Sequence, residues 1–245
     1  VDWSGVASVL PPLAARSAGV AALGAVLGLD YIVIGQTLIA QPAISGPIVG
    51  IVLGEPMLGI WAGLTVQLLW AGRLPVGEYV PPNSCVAVVF TVGAAALMSG
   101  SAPLVYRAVL AGLLTLPVAY VAGRLDVLIK ARLNVAYLHS AERALARGGP
   151  APLGVATLKG VASVYVKDFA LLWASVFAAA ALLSPVASRV TGKVAGGLEL
   201  AYVVLPVAGI ALLLNAYWSW KTVSAFTVGA AAVGFTLFAA SIHLF

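Results

Sequence analysis

Charge is what this chain has least of. Of its 245 residues, 13 are Lys or Arg and 8 are Asp or Glu, 9% together, whereas a soluble domain carries about 25%. So few charged side chains cannot keep a body of this size dispersed in water, which all but excludes a cytosolic enzyme. Cysteine is nearly absent as well. The single Cys85 can close no intramolecular disulfide, has no Cys or His at metal-ligand spacing, and reads as a packing residue. The N-terminal "VDWSGVASVLPPLAARSAGV" lacks an early basic cluster ahead of a short apolar core, so a cleaved secretory signal is not expected and insertion must use the spans themselves.

Apolar residues fill the space that charge leaves. Hydrophobic types make up 62% of the chain and the mean hydropathy is +1.08, values that define an all-α polytopic membrane protein. Seven or eight segments approach the roughly 20 residues that cross a bilayer, at about 5–29, 31–54, 57–72, 84–99, 102–123, 166–187, 199–220 and 223–245. Pro42 and Pro47 interrupt the second. The third and fourth are short, as broken or re-entrant helices would be. A fold-back at Pro206 would change the side of the C-terminus. No long linker, low-complexity tract or clear short-period repeat occurs, so the chain is expected to be a single membrane domain over 1–245.

Residues 124–168 differ from the rest. They hold seven Lys or Arg against three acids, a net of +4, while 1–123 sum to −1 and 169–245 to +2. The positive-inside rule places this segment on the cytoplasmic side. Within it Leu125, Val127, Leu128, Ala131, Val135 and Leu138 recur at helical spacing among basic residues, as in an amphipathic helix at the membrane surface. Its basic face reads as solvated by water and headgroups, or as a docking surface for a cytoplasmic partner. "GGPAPLG" at 148–154 then breaks the helix.

A further break, "GRLPVGEYVPPN" at 72–83, puts irregular backbone between two apolar stretches. Backbone at membrane depth must satisfy its N–H and C=O groups within protein or water. The stretch is therefore either a loop outside the bilayer or the lining of a polar cavity between two half-spans. Just before it, Gly63, Gln67 and Trp70 share one helix face. With Glu78, Tyr79 and Asn83 nearby, amides and a carboxylate could bond sugar hydroxyls, and the aromatic rings could supply an apolar plate. A lone amide in a span also commonly bonds a neighbouring helix.

The run "GPIVGIVLGEPMLGIWAGLTVQLLWAGRLPVGEYVPPN" resembles the membrane-permease subunit, enzyme IIC, of the mannose/fructose/sorbose-type bacterial phosphotransferase systems. The family pattern G-P-[LI]-V-G-[LI]-x-L-G-D falls on Gly46 to Glu55, G-x-x-x-[EQ]-L on Gly63, Gln67 and Leu68, and P-[IVL]-G-G-x-x-P-P-[DN] on Pro75, Gly77, Pro81, Pro82 and Asn83. A separate match, "HSAERALARGG" at 139–149, is similar to the family's H-x-A-[DE]-x-A-x-x-x-G. Glu55 stands where an Asp is usual, Glu78 where a glycine is common, and Gln41 where an Arg is frequent.

The resemblance implies an elevator-type transporter with helical half-hairpins, partnered by a second membrane subunit, enzyme IID, in an oligomeric complex of the bacterial inner membrane. It implies that a soluble enzyme IIB phosphorylates the sugar, a hexose or an amino sugar, so the chain itself is a non-catalytic permease with no metal, cofactor or nucleic-acid partner. The candidate sugar contacts are Gln67, Asn83, Asp30 and Glu78, with Gln41 and Trp70 behind them. Asp30 could equally be a helix cap or a residue at the water boundary. Asn215 and Trp218 repeat the Gln67–Trp70 spacing but sit where an interfacial anchor is expected. His139 is assigned to structure or docking, because phosphorylated histidines belong to soluble subunits of such systems, and His243 is given no role. Arg16 and Arg107, inside apolar runs, should snorkel or pair with a carboxylate. The departures from the family pattern motivate an alternative, a regulatory scaffold that has kept the fold and lost transport.

Overall fold

The structure, a computed structural model, describes residues 3–32, 35–71, 81–147 and 153–242. Its described residues form helices: α1 (Trp3–Ile32), α2 (Pro42–Val52), α3 (Pro56–Trp70), α4 (Ser84–Leu97), α5 (Leu104–Leu128), α6 (Val135–Ala146), α7 (Leu153–Ala187), α8 (Gly192–Ala216) and α9 (Trp220–Ile242). Four helical stretches are long and apolar enough to cross a bilayer: Val9–Tyr31, Leu104–Ala146, Gly154–Ala187 and Gly192–Ala216. The chain is a multi-pass membrane protein. Between α1 and α5 lie α2, α3 and α4, apolar but of 11, 15 and 14 residues, each too short to span about 30 Å of hydrocarbon.

The segment expected at 31–54 thus divides. Residues 35–41 are irregular, and α2 begins only at Pro42. Proline suits that first helical position, where its missing N–H would have had no partner in any case. Helices α2 and α3 then pair as a hairpin around four glycines, Gly46, Gly50, Gly59 and Gly63. A Cβ on Gly59 would strike the Gly46 carbonyl, and one on Gly63 would lie 2.5 Å from the Pro42 carbonyl oxygen. In a membrane, where burial of apolar surface drives little helix association, small residues let backbones approach closely enough for dispersion contacts to hold them.

The core is α4. Thirteen of its residues, including Val86, Val88, Val89 and Phe90, are buried, because α1, α2, α3, α5 and α7 all pack around it. A helix enclosed on every side needs no polar face, which is why its sequence shows no amphipathic stripe. It runs antiparallel to α5, with the Thr91 and Thr115 hydroxyls bonded across the interface and the Asn83 N–H donating to the Ala119 carbonyl. Among the described residues Arg107 meets no carboxylate. Its Nη1 donates to the Met98 carbonyl at 3.0 Å and to the Ala95 carbonyl at 3.4 Å, satisfying the open C-terminal end of α4. Arg16 is exposed on α1.

The basic tract is more regular than its sequence pattern suggests. Helix α5 passes without a break through a π-helical turn, Ile129–Asn134, into α6. The whole run of 43 residues, Leu104–Ala146, follows about 65 Å of helix at 1.5 Å per residue, about twice the hydrocarbon thickness. The next helix starts at Leu153, well before the expected 166, and α7 packs on α6 and the π turn. The Tyr137 hydroxyl meets that of Ser163 at 3.1 Å, and the Lys159 ammonium lies 6.0 Å from the Tyr137 ring centre. Tertiary packing, absent from any local pattern, supplies the stability that carries α7 back through this polar stretch. Helix α8 also continues straight through Pro206, so no hairpin forms there. Asn215 and Trp218 are both exposed beyond its packed part.

Candidate functional site

One end of the helix core gathers Asp30, Gln41, Gln67, Asn83, Asp126, Lys167 and Asp168. It is built from the C-terminal ends of α1 and α3, the N-terminal ends of α2 and α4, and the polar residues of α5 and α7 that meet them.

Asp30, in the last turn of α1, organises the loop that leads into α2. Its carboxylate accepts from the Thr37 N–H at 2.7 Å, the Thr37 hydroxyl at 2.8 Å and the Ala40 N–H at 3.2 Å. That loop is strained: Gln36 and Leu38 hold φ values of 49° and 71°, a region non-glycine residues seldom adopt and one that recurs at ligand sites. Asp30, Tyr31, Gln36, Leu38, Ala40 and Gln41 together line a pocket of about 200 Å³. Two of the candidate residues, Asp30 and Gln41, therefore share one concavity. Its size suits a single small polar molecule, being below the roughly 300 Å³ at which drug-sized pockets begin.

Gln67 does not line this pocket. Gln41 is the N-cap of α2, yet its side chain makes no capping bond. Instead the Gln67 Oε1 accepts from the Ala43 N–H at 3.4 Å, reaching across the hairpin to one of the donors that a helix start leaves open. Trp70, one turn further on α3, donates its indole N–H to the Pro82 carbonyl at 3.0 Å, tying the end of α3 to the far end of the proline-rich break. Glu78, and most of that break, lie outside the described residues.

Asn83 closes the break and caps α4. Its Oδ1 accepts from the Val86 N–H at 3.0 Å, and its Nδ2 donates to Asp126 Oδ2 at 3.0 Å. Asp126 also receives the Lys167 ammonium, which lies 2.7 Å from Asp168 Oδ1. All four side chains are buried: Asn83 and Asp168 are each 1% exposed as residues, and the Lys167 side chain 6%. Two carboxylates, one ammonium and an amide thus form a buried polar network across α4, α5 and α7, in which Asp168 Oδ1 has the Lys167 charge beside it but accepts no hydrogen bond. It touches α1 too, where a Cβ on Gly28 would meet Asp168 Oδ2 at 2.8 Å. Ionisable groups at such depth are costly and mark functional regions.

This trio escaped sequence reading. Asp126, Lys167 and Asp168 fall in the basic tract, where they pass for ordinary surface charge, and only the tertiary fold turns them inward. The signal that could have found them was the helical spacing: Asp126 occupies the same face as Ala119, Ala122 and Gly123, all buried. His139, in contrast, is exposed and bonded to Glu142 at 3.0 Å. Among the described residues no group of three or more His, Cys, Asp or Glu is placed to hold a metal ion.

Comparison with known proteins places the chain in a family. The family model described as the sorbose-specific IIC component of the phosphotransferase system matches residues 16–243. The chain belongs to this family of sugar-specific IIC permease components. The putative N-acetylgalactosamine permease IIC component 2 of Escherichia coli K12 is 38% identical over 79 residues, 32% of this chain and 57% of that protein. The mannose-specific EIIC component of the same organism is 25% identical over 203 residues, 81% of this chain and 72% of that protein. A solved chain described as "Structure of membrane protein" shares the fold, with a TM-score of 0.62 and 21% identity over 91% of this chain and 86% of its own.

Proposed function

We propose that this IIC component binds a single hexose or amino sugar at the Asp30–Gln41 pocket and carries it across the bacterial inner membrane, together with an enzyme IID partner. An enzyme IIB subunit then phosphorylates it. The observation that supports this most directly is the pocket itself: a carboxylate, a phenol and two amides from Asp30, Tyr31, Gln36 and Gln41 line one small concavity. These groups can both donate to and accept from neutral hydroxyls. Gln67 and Asn83 cap α2 and α4, the two short helices that frame the region; Trp70 ends α3, and Glu78 belongs to the break that joins α3 to α4. In this reading Gln67, Asn83 and Trp70 contact the sugar or hold the backbone that does.

Phosphorylation gives the reading its direction. A phosphoryl group adds nearly two negative charges at neutral pH, and a dianion does not recross hydrocarbon. The permease itself needs no chemistry. It has to present a sugar hydroxyl to the donor in near-attack geometry on the cytoplasmic side, which in this reading is the side of 124–168. Translocation follows as an elevator movement of the substrate-bearing part of the protein relative to a scaffold.

The test is phosphoenolpyruvate-dependent uptake of labelled hexoses and amino sugars by vesicles holding this protein, its IID partner and the soluble enzymes. Saturable uptake of one sugar, with Gln41→Leu raising the KM about tenfold or more by removing roughly one hydrogen-bonded contact in an enclosed site, is the expected result. Normal assembly with the IID partner but no flux of any sugar would favour the alternative, a regulatory scaffold.

A further inference from the structure

The buried network of α4, α5 and α7 is unevenly satisfied. Asp126 is fully engaged, one oxygen taking the Lys167 ammonium and the other the Asn83 amide. Asp168 is not. It is 1% exposed, and its Oδ1 lies 2.7 Å from the same ammonium but accepts no hydrogen bond. One cation thus serves two carboxylates. With both ionised, the trio holds a net charge of −1 in a buried space, and an uncompensated ion there is far costlier than a neutral acid. No second cation answers it among the described residues. Helix α1 faces the network with Gly28 and Tyr31, and α4 with Cys85, the last two uncharged in their ordinary forms. Asp30 is bonded to the 35–40 loop. Arg124 on α5, Arg132 on the π turn and Lys159 on α7 are exposed, and Tyr165 stacks on Phe169. On α6, Arg143 is exposed, and His139 and Glu142 are exposed and paired with each other. The Lys130 side chain, one turn beyond Asp126, lies outside the described residues.

We infer that Asp168 is a proton-binding site: a hydronium ion gives one proton to its carboxylate and leaves as water, and the trio becomes a neutral acid beside a neutral Lys167–Asp126 ion pair. A proton suits this place because it needs no room. A larger cation would have to displace the packing at Gly28, where even a Cβ would lie 2.8 Å from Asp168 Oδ2. Two carboxylates that share one site hold a proton between them for the same reason, since like charges at close range do not stay ionised together. Ionisable side chains within spans are also the usual stations for protons. The effect reaches the polar pocket through Tyr31, which lines it and lies within electrostatic range of Asp126. The charge behind that phenol changes with the proton, and with it the strength of the hydroxyl as a donor to a sugar. This coupling rests on the sugar assignment; the proton site does not.

Infrared spectroscopy reads the site directly, because the carbonyl stretch of a carboxylic acid is absent from a carboxylate. The purified protein in lipid nanodiscs is titrated between about pH 5 and pH 9, where an ordinary aspartate is already ionised. It should show an acid band that fades as the pH rises and that Asp168→Asn removes. Asp126→Asn leaves the ammonium to Asp168 alone and should remove the band as well. Lys167→Met leaves two carboxylates with no cation and should enlarge it about twofold. Lys130→Met should leave it unchanged. The two asparagine variants keep the size of the side chains they replace, so they decide the question if Lys167→Met does not fold. A wild-type spectrum with no band that Asp168→Asn abolishes, or a band indifferent to Asp126→Asn, would overturn the proposal. So would a band that appears only in Lys130→Met, since that lysine would then supply the missing charge. In the uptake assay the sugar's KM should vary with pH over the same range in the wild type and stay level in Asp168→Asn. A level wild-type KM with the infrared band present would overturn the coupling through Tyr31 and not the proton site.

Discussion

Replacing Lys167 by Met tests the buried network most sharply. The ammonium is within bonding reach of both Asp126 and Asp168, and the three side chains are 6%, 4% and 1% exposed. Counted as charges, the trio carries −1; without the lysine it carries −2 in the same enclosed volume. Removing one partner of a buried ion pair costs about 3–5 kcal/mol, far above the 0–1 kcal/mol of a surface pair, because the remaining charge has neither water nor counter-ion. For a chain of this size that corresponds to a fall in Tm of about 6–20 °C. Tryptophan fluorescence during thermal unfolding in detergent would read it, with six tryptophans as reporters. The double variant Lys167→Met with Asp126→Asn restores the sum to −1 and should lose less than the single variant. Such non-additivity is what direct coupling means. A Lys167→Met protein that melts within about 2–4 °C of the wild type, or a double variant whose losses simply add, would refute the account.

Other outcomes follow from single contacts. Gly59→Val should destabilise by about 1–3 kcal/mol or more through overpacking at the Gly46 backbone, whereas Gly112→Ala, with open space beyond its Cα, should not; thermal unfolding compares them. Arg107→Met leaves the Ala95 and Met98 carbonyls without their donor and should cost about 1–3 kcal/mol, read in the same assay. Asp30→Ala removes the acceptor for three loop groups, and hydrogen exchange should rise across residues 35–40 while that of α4 stays unchanged. Trp61→Phe keeps the ring over Tyr202 but loses the bond to its carbonyl; about 0.5–1.5 kcal/mol of α8 docking should go, detected as faster proteolysis of α8.

Composition settled that the chain lives in a membrane, and the length of its continuous apolar segments that it is helical, since barrel strands need only about ten residues and alternate in polarity. Local pattern went further at the breaks. Pro42 and Pro47, with the shortness of the segments that follow, mark broken or re-entrant helices because proline limits where a helix can begin and a short run cannot span the bilayer. The motifs at Gly46–Glu55, Gly63–Leu68 and Pro75–Asn83 likewise carried the family. Partnership between distant residues was another matter. That Gln67 caps α2, that Asp30 holds the 35–40 loop, and that Arg107 closes α4 depend on which helix end faces which. Asp126, Lys167 and Asp168 show this best: their charges read as a solvated tract from the sequence, and only the meeting of α4, α5 and α7 takes them out of water, where each must find its counter-charge within the protein.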